Sequence, residues 1–118
     1  MPANQVRSLK GDRSFRRLRK GRSAGARLLG VRWIPRRHGQ VRVGIVVSSK
    51  VGNAVTRNRV RRRLREALRA LAREDSRWPR EGTGADVLVM TRPETAGASY
   101  DALKESLTRA LVRAEFLR

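Results

Sequence analysis

Cysteine is absent from this chain of 118 residues, which excludes disulfides and cysteine-built zinc sites and suits a reducing cytoplasm. Histidine occurs once, as His38, and one imidazole cannot supply both the acid and the base of a general acid–base nuclease. Its setting in PRRHGQ is that of a solvated turn residue. Aromatics make up 4% of the chain, too few to anchor an amphipathic membrane helix. No apolar run approaches the ~18–20 residues of a membrane span, and MPANQVRSLKGDRS carries no apolar segment of the signal-peptide kind. Acids are scarce as well. Outside the last third they are Asp12, Glu66, Glu74 and Asp75, with no spacing that would gather a two-metal site. Asp12 suits a helix cap, and Glu66 a surface partner for Arg62 or Arg69. Ser48 and Ser49 have no base beside them, and KVGNAVT lacks the glycine–lysine spacing of a phosphate loop. Catalysis by the chain's own side chains is therefore not expected.

Positive charge is abundant. Lys and Arg total 29 against 10 Asp and Glu, a formal net charge of +19. Such self-repulsion weakens a compact chain unless a polyanion neutralises it. Residues 1–40 and 41–80 hold 12 basic residues each, with one and three acids. Residues 81–118 hold five basic and six acidic residues and read as near-neutral scaffold. The length suits a single domain over residues 1–118, with a flexible polar stretch at 1–10.

Periodicity supplies the elements. Asp12 is placed to cap a short helix, SFRRLRK, with Phe15 and Leu18 on one face and Gly21 at its end. Residues 26–34 and 41–48 read as strands, the second alternating Val41, Val43, Ile45 and Val47. The turn composition of PRRHGQ predicts an antiparallel hairpin between them. A glycine-containing loop, VGNAVT, then leads into TRNRVRRRLREALR (56–69). There Val60, Leu64, Ala67, Leu68 and Leu71 fall on a helical stripe roughly 100° wide, and Asn58, Arg62, Arg65, Arg69 and Arg73 project from the opposite side. Arg57, Arg61 and Arg63 flank the stripe. Residues 73–84 read as a loop and 85–90 as a buried strand. Ser99 is placed to cap a last helix with Leu103, Leu107, Ala110, Leu111 and Ala114 on one face and a Glu105–Arg109 pair on another. The order helix, strand, strand, helix, strand, helix predicts one sheet covered by helices.

A basic helix face is often merely solvated. Here the run sits at a helix start, where unpaired N–H groups and the dipole also attract anions, and RSFRRLRKGR repeats the charge elsewhere. Guanidinium groups pair with phosphate through two bonds and stack on bases, which suits RNA. Phe15 and Leu18 fit either a core or, for Phe15, a stacking platform for an unpaired base. A ribosomal or assembly protein shares this composition. A DNA-binding recognition helix does not fit as well, because strand-like sequence in place of a partner helix precedes residue 57.

The segment VRVGIVVSSKVGNAVTRNRVRRRLREALR (41–69) closely resembles the bacterial ribonuclease P protein subunit in its strand, glycine turn, Arg57-Asn58-Arg59 and basic helix. SLKGDRSFRRLRKGR and ADVLVMTRPETAGASYDALKESLTRAL resemble the family's first helix and its last strand and helix. The resemblance implies an α/β (α+β) sandwich, with a four-stranded sheet, three main helices and a left-handed β-α-β crossover as in the ribosomal-protein/translocase-like superfamily. It implies a helper subunit for a catalytic RNA that, with magnesium bound mainly by the RNA, removes the 5′ leader of precursor tRNA. No membrane and no stable protein partner enter this reading. Lys50, Gly52, Asn53, Arg57, Asn58, Arg59, Arg61, Arg62 and Arg65 would contact the RNA subunit. Phe15, Leu18, Arg19 and Arg32 would line a cleft for the leader. Leu18-Arg19 stand where family members often carry a second aromatic.

Overall fold

The computed structural model describes residues 6–9, 16–37 and 39–118, so Asp12, Phe15 and His38 lie outside the described residues. Among the described residues five strands form one mixed sheet: β1 (Val6–Ser8), β2 (Arg22–Gly25), β3 (Leu29–Arg36), β4 (Val41–Val46) and β5 (Gly84–Thr91). Their spatial order is β1-β4-β5-β3-β2. Two long helices, α1 (Ala54–Glu74) and α2 (Tyr100–Arg113), pack against it. Of the first helix expected from sequence, the described part ends in a 3-10 turn at Leu18–Lys20.

Two expectations are corrected. The sheet has a short fifth strand beyond the four expected, because Val6–Ser8, within the stretch 1–10, pairs in parallel with β4. Nor do β3 and β4 form a hairpin. Strand β5 lies between them, antiparallel to β3 and parallel to β4. Its run Ala85, Asp86, Val87 and Val89 is buried, and a strand covered on both faces belongs at a sheet's centre. Residues 37–40 need only cross two strand spacings, roughly 10 Å, and a four-residue link reaches that far.

The pairing register sorts the side chains onto two faces. Leu29, Val31 and Trp33 share one face with Val87 and Val89 and with Val41, Val43 and Ile45. This face joins the core with the α1 stripe Val60, Leu64, Ala67, Leu68 and Leu71 and the α2 stripe Leu103, Leu107, Ala110 and Leu111. Both helical stripes are thus buried as their spacing predicts. Ser99 accepts from the Ala102 N–H at 3.1 Å and caps α2, and Arg109 reaches Glu105 at 3.1 Å. Helix α1 joins the parallel strands β4 and β5 and packs beside α2.

The loop after α1 is fastened by an aromatic cluster. Phe116 meets Trp33 and Trp78 edge-on, with ring centres 5.4 and 5.2 Å away. Trp33 also donates through Nε1 to the Ala114 carbonyl at 2.7 Å. Trp78, in the loop to which the sequence assigns no role, is buried and closes one end of the core.

Candidate nucleic-acid interface

The entrance to α1 is built residue by residue. Ser48 accepts from the Lys50 N–H at 3.1 Å and sets a 3-10 turn over Ser49–Val51, with Val51 buried as its anchor. Gly52 follows at φ 148°, a conformation that side-chain-bearing residues rarely adopt. Asn53 then caps α1, its Oδ1 accepting from the Thr56 N–H at 2.9 Å. The first turn carries no acid, so the helix dipole and the remaining N–H groups face solvent uncompensated. Lys50, Gly52, Asn53 and Asn58 are all exposed around this entrance.

The arginines divide into working groups. Arg62 and Arg65 are exposed, as are Arg69 and Arg73 farther along the same side. Arg57 and Arg59 are half-buried, and each has a buried Nε with no hydrogen-bond partner among the described residues. Burial of Nε packs each stem against the protein, and neither guanidinium has a hydrogen bond or ion pair among the described residues, so the fork remains unpaired. Arg61 donates to Asn58 Oδ1 at 3.2 Å, which keeps the two side chains side by side. Arg63 belongs elsewhere: its Nη1 donates to the Ala98 carbonyl at 2.9 Å and ties α1 to the start of α2. All nine residues expected to contact RNA therefore lie in the 49–53 turn or the first twelve residues of α1. Sequence reasoning passed over Val55, an apolar residue 73% exposed in the same first turn.

The second candidate surface is the open face of the sheet. Register puts Gly30, Arg32 and Ile34 beside Met90, Leu88 and Asp86, and these beside Val46, Gly44 and Arg42. The turn at Leu18–Lys20 packs onto strands β3 and β5. Leu18 is 0% exposed, so its side chain plugs this junction and has no surface to offer a ligand. Arg19 is exposed, and its carbonyl accepts from Arg32 Nη1 at 2.9 Å. Val46 remains 47% exposed and leaves apolar surface on the open face. Arg19 and Arg32 are thus brought together, with Leu18 beneath them.

Sequence reasoning missed an ion pair on this face. Asp86 is 0% exposed and receives Arg42 through two bonds, at 2.8 and 2.9 Å. Arg36 lies 3.9 Å from the same carboxylate. The hydrogen bond from Arg42 to Asp86 raises the guanidinium pKa above its ordinary value, against an opposing effect of burial. The signal was present, because an acid inside the apolar run ADVLVM demands a cationic partner.

A family model for Ribonuclease P matches residues 3–115. The Ribonuclease P protein component of Thermus brockianus is 45% identical over 117 residues, covering 99% of this chain and 65% of that protein. The component from Thermus oshimai is 50% identical over 106 residues, covering 90% of this chain and 63% of that protein. The chain thus spans somewhat under two thirds of the length of these relatives. Among solved structures, the Staphylococcus aureus RNase P protein superposes with a TM-score of 0.78 at 27% identity, over 97% of this chain and all of that one. The protein from Thermotoga maritima gives 0.71 at 26% identity, over 86% and 92% of the two chains.

Proposed function

This chain belongs to the ribonuclease P protein family, and from that premise we propose that it is the protein subunit of an endoribonucleolytic ribonucleoprotein that matures the 5′ ends of tRNA. In this reading the catalytic RNA docks on Lys50, Gly52, Asn53 and the arginine side of α1, from Arg57, Asn58 and Arg59 through Arg61, Arg62 and Arg65. The observation that carries it is the acid-free helix entrance, where two half-buried arginines keep guanidinium groups without a partner among the described residues. Phosphate oxygens are the acceptors such donors suit. The 5′ leader of precursor tRNA lies across the open face of the sheet, next to Arg19 and Arg32. In the same reading Phe15, which lies outside the described residues, would stack on a leader base, and Leu18 supports Arg19 and Arg32 from beneath. RNA subunit and leader thus meet opposite faces of one sheet, and the protein orients one against the other.

Magnesium supplies the Lewis-acid chemistry of hydrolysis in this reading, held by the RNA. The carboxylates described in this chain do not fit the ion: Asp86 is held by Arg42 and Asp75 by Arg77, and no group of three or more acidic or histidine side chains gathers among the described residues. The protein has no catalytic side chain of its own, works in the cytoplasm and needs no stable protein partner. The left-handed sense of the β4–α1–β5 crossover, and membership of the ribosomal-protein/translocase-like superfamily, belong to the same reading. The family match does not favour the alternative of a ribosomal or assembly protein.

The test is reconstitution. Purified protein alone is expected to leave precursor tRNA intact, and adding ribonuclease P RNA with Mg²⁺ is expected to give cleavage at physiological salt. Robust cleavage without that RNA would overturn the proposal.

A further inference from the structure

By sequence the last third of the chain is close to neutral, yet the fold brings two of its five cations, Arg109 and Arg113, together with Arg27. A cavity of about 330 Å³ opens between α2 and the turn that joins β2 to β3. Arg27 lines it from the turn, and Arg109 and Arg113 line it from α2. Glu105 is the one carboxylate in the lining, and Arg109 already occupies it at 3.1 Å. Arg113 is braced by a 3.0 Å hydrogen bond to the Gly25 carbonyl, which aims the guanidinium along the cavity wall. Arg27 is exposed and has no ion pair or hydrogen bond among the described residues. Ser106, largely buried in the lining, keeps a hydroxyl that makes none either.

With one carboxylate among three guanidinium groups the lining keeps an excess of positive charge, which an entering anion neutralises. Their forked N–H groups match phosphate oxygens, and the Ser106 hydroxyl adds a further donor. The volume is that of a small ligand site, large enough for a phosphate with its sugar. Helix α2 packs over β2 and β3, whereas α1 lies toward β1, so this site is separate from the α1 surface. We infer that the Arg27–Arg109–Arg113 cavity binds a backbone phosphate of RNA and forms a third nucleic-acid contact. The inference rests on the reading of RNA as the partner.

The experiment is a titration of the isotopically labelled full chain with a short single-stranded oligouridylate, followed by amide and arginine Nε–H resonances. The resonances of Arg27, Ser106, Arg109 and Arg113 are expected to shift saturably. Replacing Arg27 and Arg109 together by Ala is expected to weaken that saturation roughly tenfold and to flatten its salt dependence by about one to two phosphate contacts. Both residues are exposed, and unchanged dispersion elsewhere in the spectrum checks that the variant folds. Glu105→Gln removes the competing carboxylate and is expected to tighten saturation about threefold. If α1 resonances move and the cavity's do not, the site is overturned and the RNA reading stands. If neither set moves, both fall. Shifts with inorganic phosphate but none with oligouridylate would assign the cavity to free anions and overturn its role in RNA binding.

Discussion

Gly21 stands in extended backbone at φ −81°, so its role is space and not conformational freedom. A Cβ there would lie 2.2 Å from the Trp33 carbonyl oxygen, and backbone cannot give way as a flexible side chain can. Gly21→Ala is expected to cost about 1–3 kcal/mol through overpacking, read as a fall in the denaturant midpoint. Sequence marks Gly21 as a helix end, and the structure adds the reason for glycine. Asp75 carries a pH dependence. Its carboxyl is held below the ordinary value of 3.8 chiefly by the hydrogen bond from the Arg77 side chain, with the Arg77 N–H and charge assisting and burial opposing. A carboxyl pKa lowered by folding stabilises fully above 3.8, and that contribution is lost as pH falls through the depressed value. Asp75→Asn should therefore differ in stability from the parent at neutral pH, and the gap should close in acid. A gap that persists unchanged in acid would contradict the assignment.

At the scale of the element, α1 has an apolar side buried in the core and an arginine side open to solvent. Its leucine stripe was legible because a 3.6-residue period needs no tertiary information, and Leu64 is fully buried as expected. Leu64→Ala should cost about 2–5 kcal/mol in stability. Arg62→Ala, on the solvent side, should cost little stability and should instead weaken RNA assembly and flatten its salt slope by about one. Equal damage to both properties by both variants would refute the division. Asn53 is less simple. Read from sequence as an RNA contact, it also caps the helix. Asn53→Ala is expected to lose about 1 kcal/mol, whereas Asn53→Ser should keep the cap. Full RNA affinity in the serine variant would make the cap its principal role, and loss of affinity there would make it a contact.

For the whole molecule, the charge of +19 sits on a compact body whose Cα radius of gyration is 13.3 Å. Self-repulsion on that scale destabilises the free protein, and a bound polyanion relieves it. The melting temperature should therefore rise on adding RNA, and the gain should shrink as salt screens the interaction. Calorimetry at two ionic strengths checks this, and a gain independent of salt would argue for apolar docking instead. The separation of the arginine side of α1 from the opposite face of the sheet is also a whole-molecule property, set by the packing of α1 on the core face.

Local pattern alone determined much of this protein. The missing cysteines, the excess of arginine, the stripes of both long helices, the Ser99 cap and the segment around Arg57-Asn58-Arg59 are all written in short-range order. Tertiary structure decided which strand lies next to which. Alternation in β3 and β4 tells which side chains face the core but not which strand supplies the neighbouring backbone, so the insertion of β5 was out of reach. Neither could sequence show that Arg27 faces Arg109 and Arg113 from more than eighty residues away, or that Arg42 and Arg36 converge on Asp86. Charges far apart along a chain become neighbours only when the sheet's order and its covering helices bring them together, and that order is a property of the packed core.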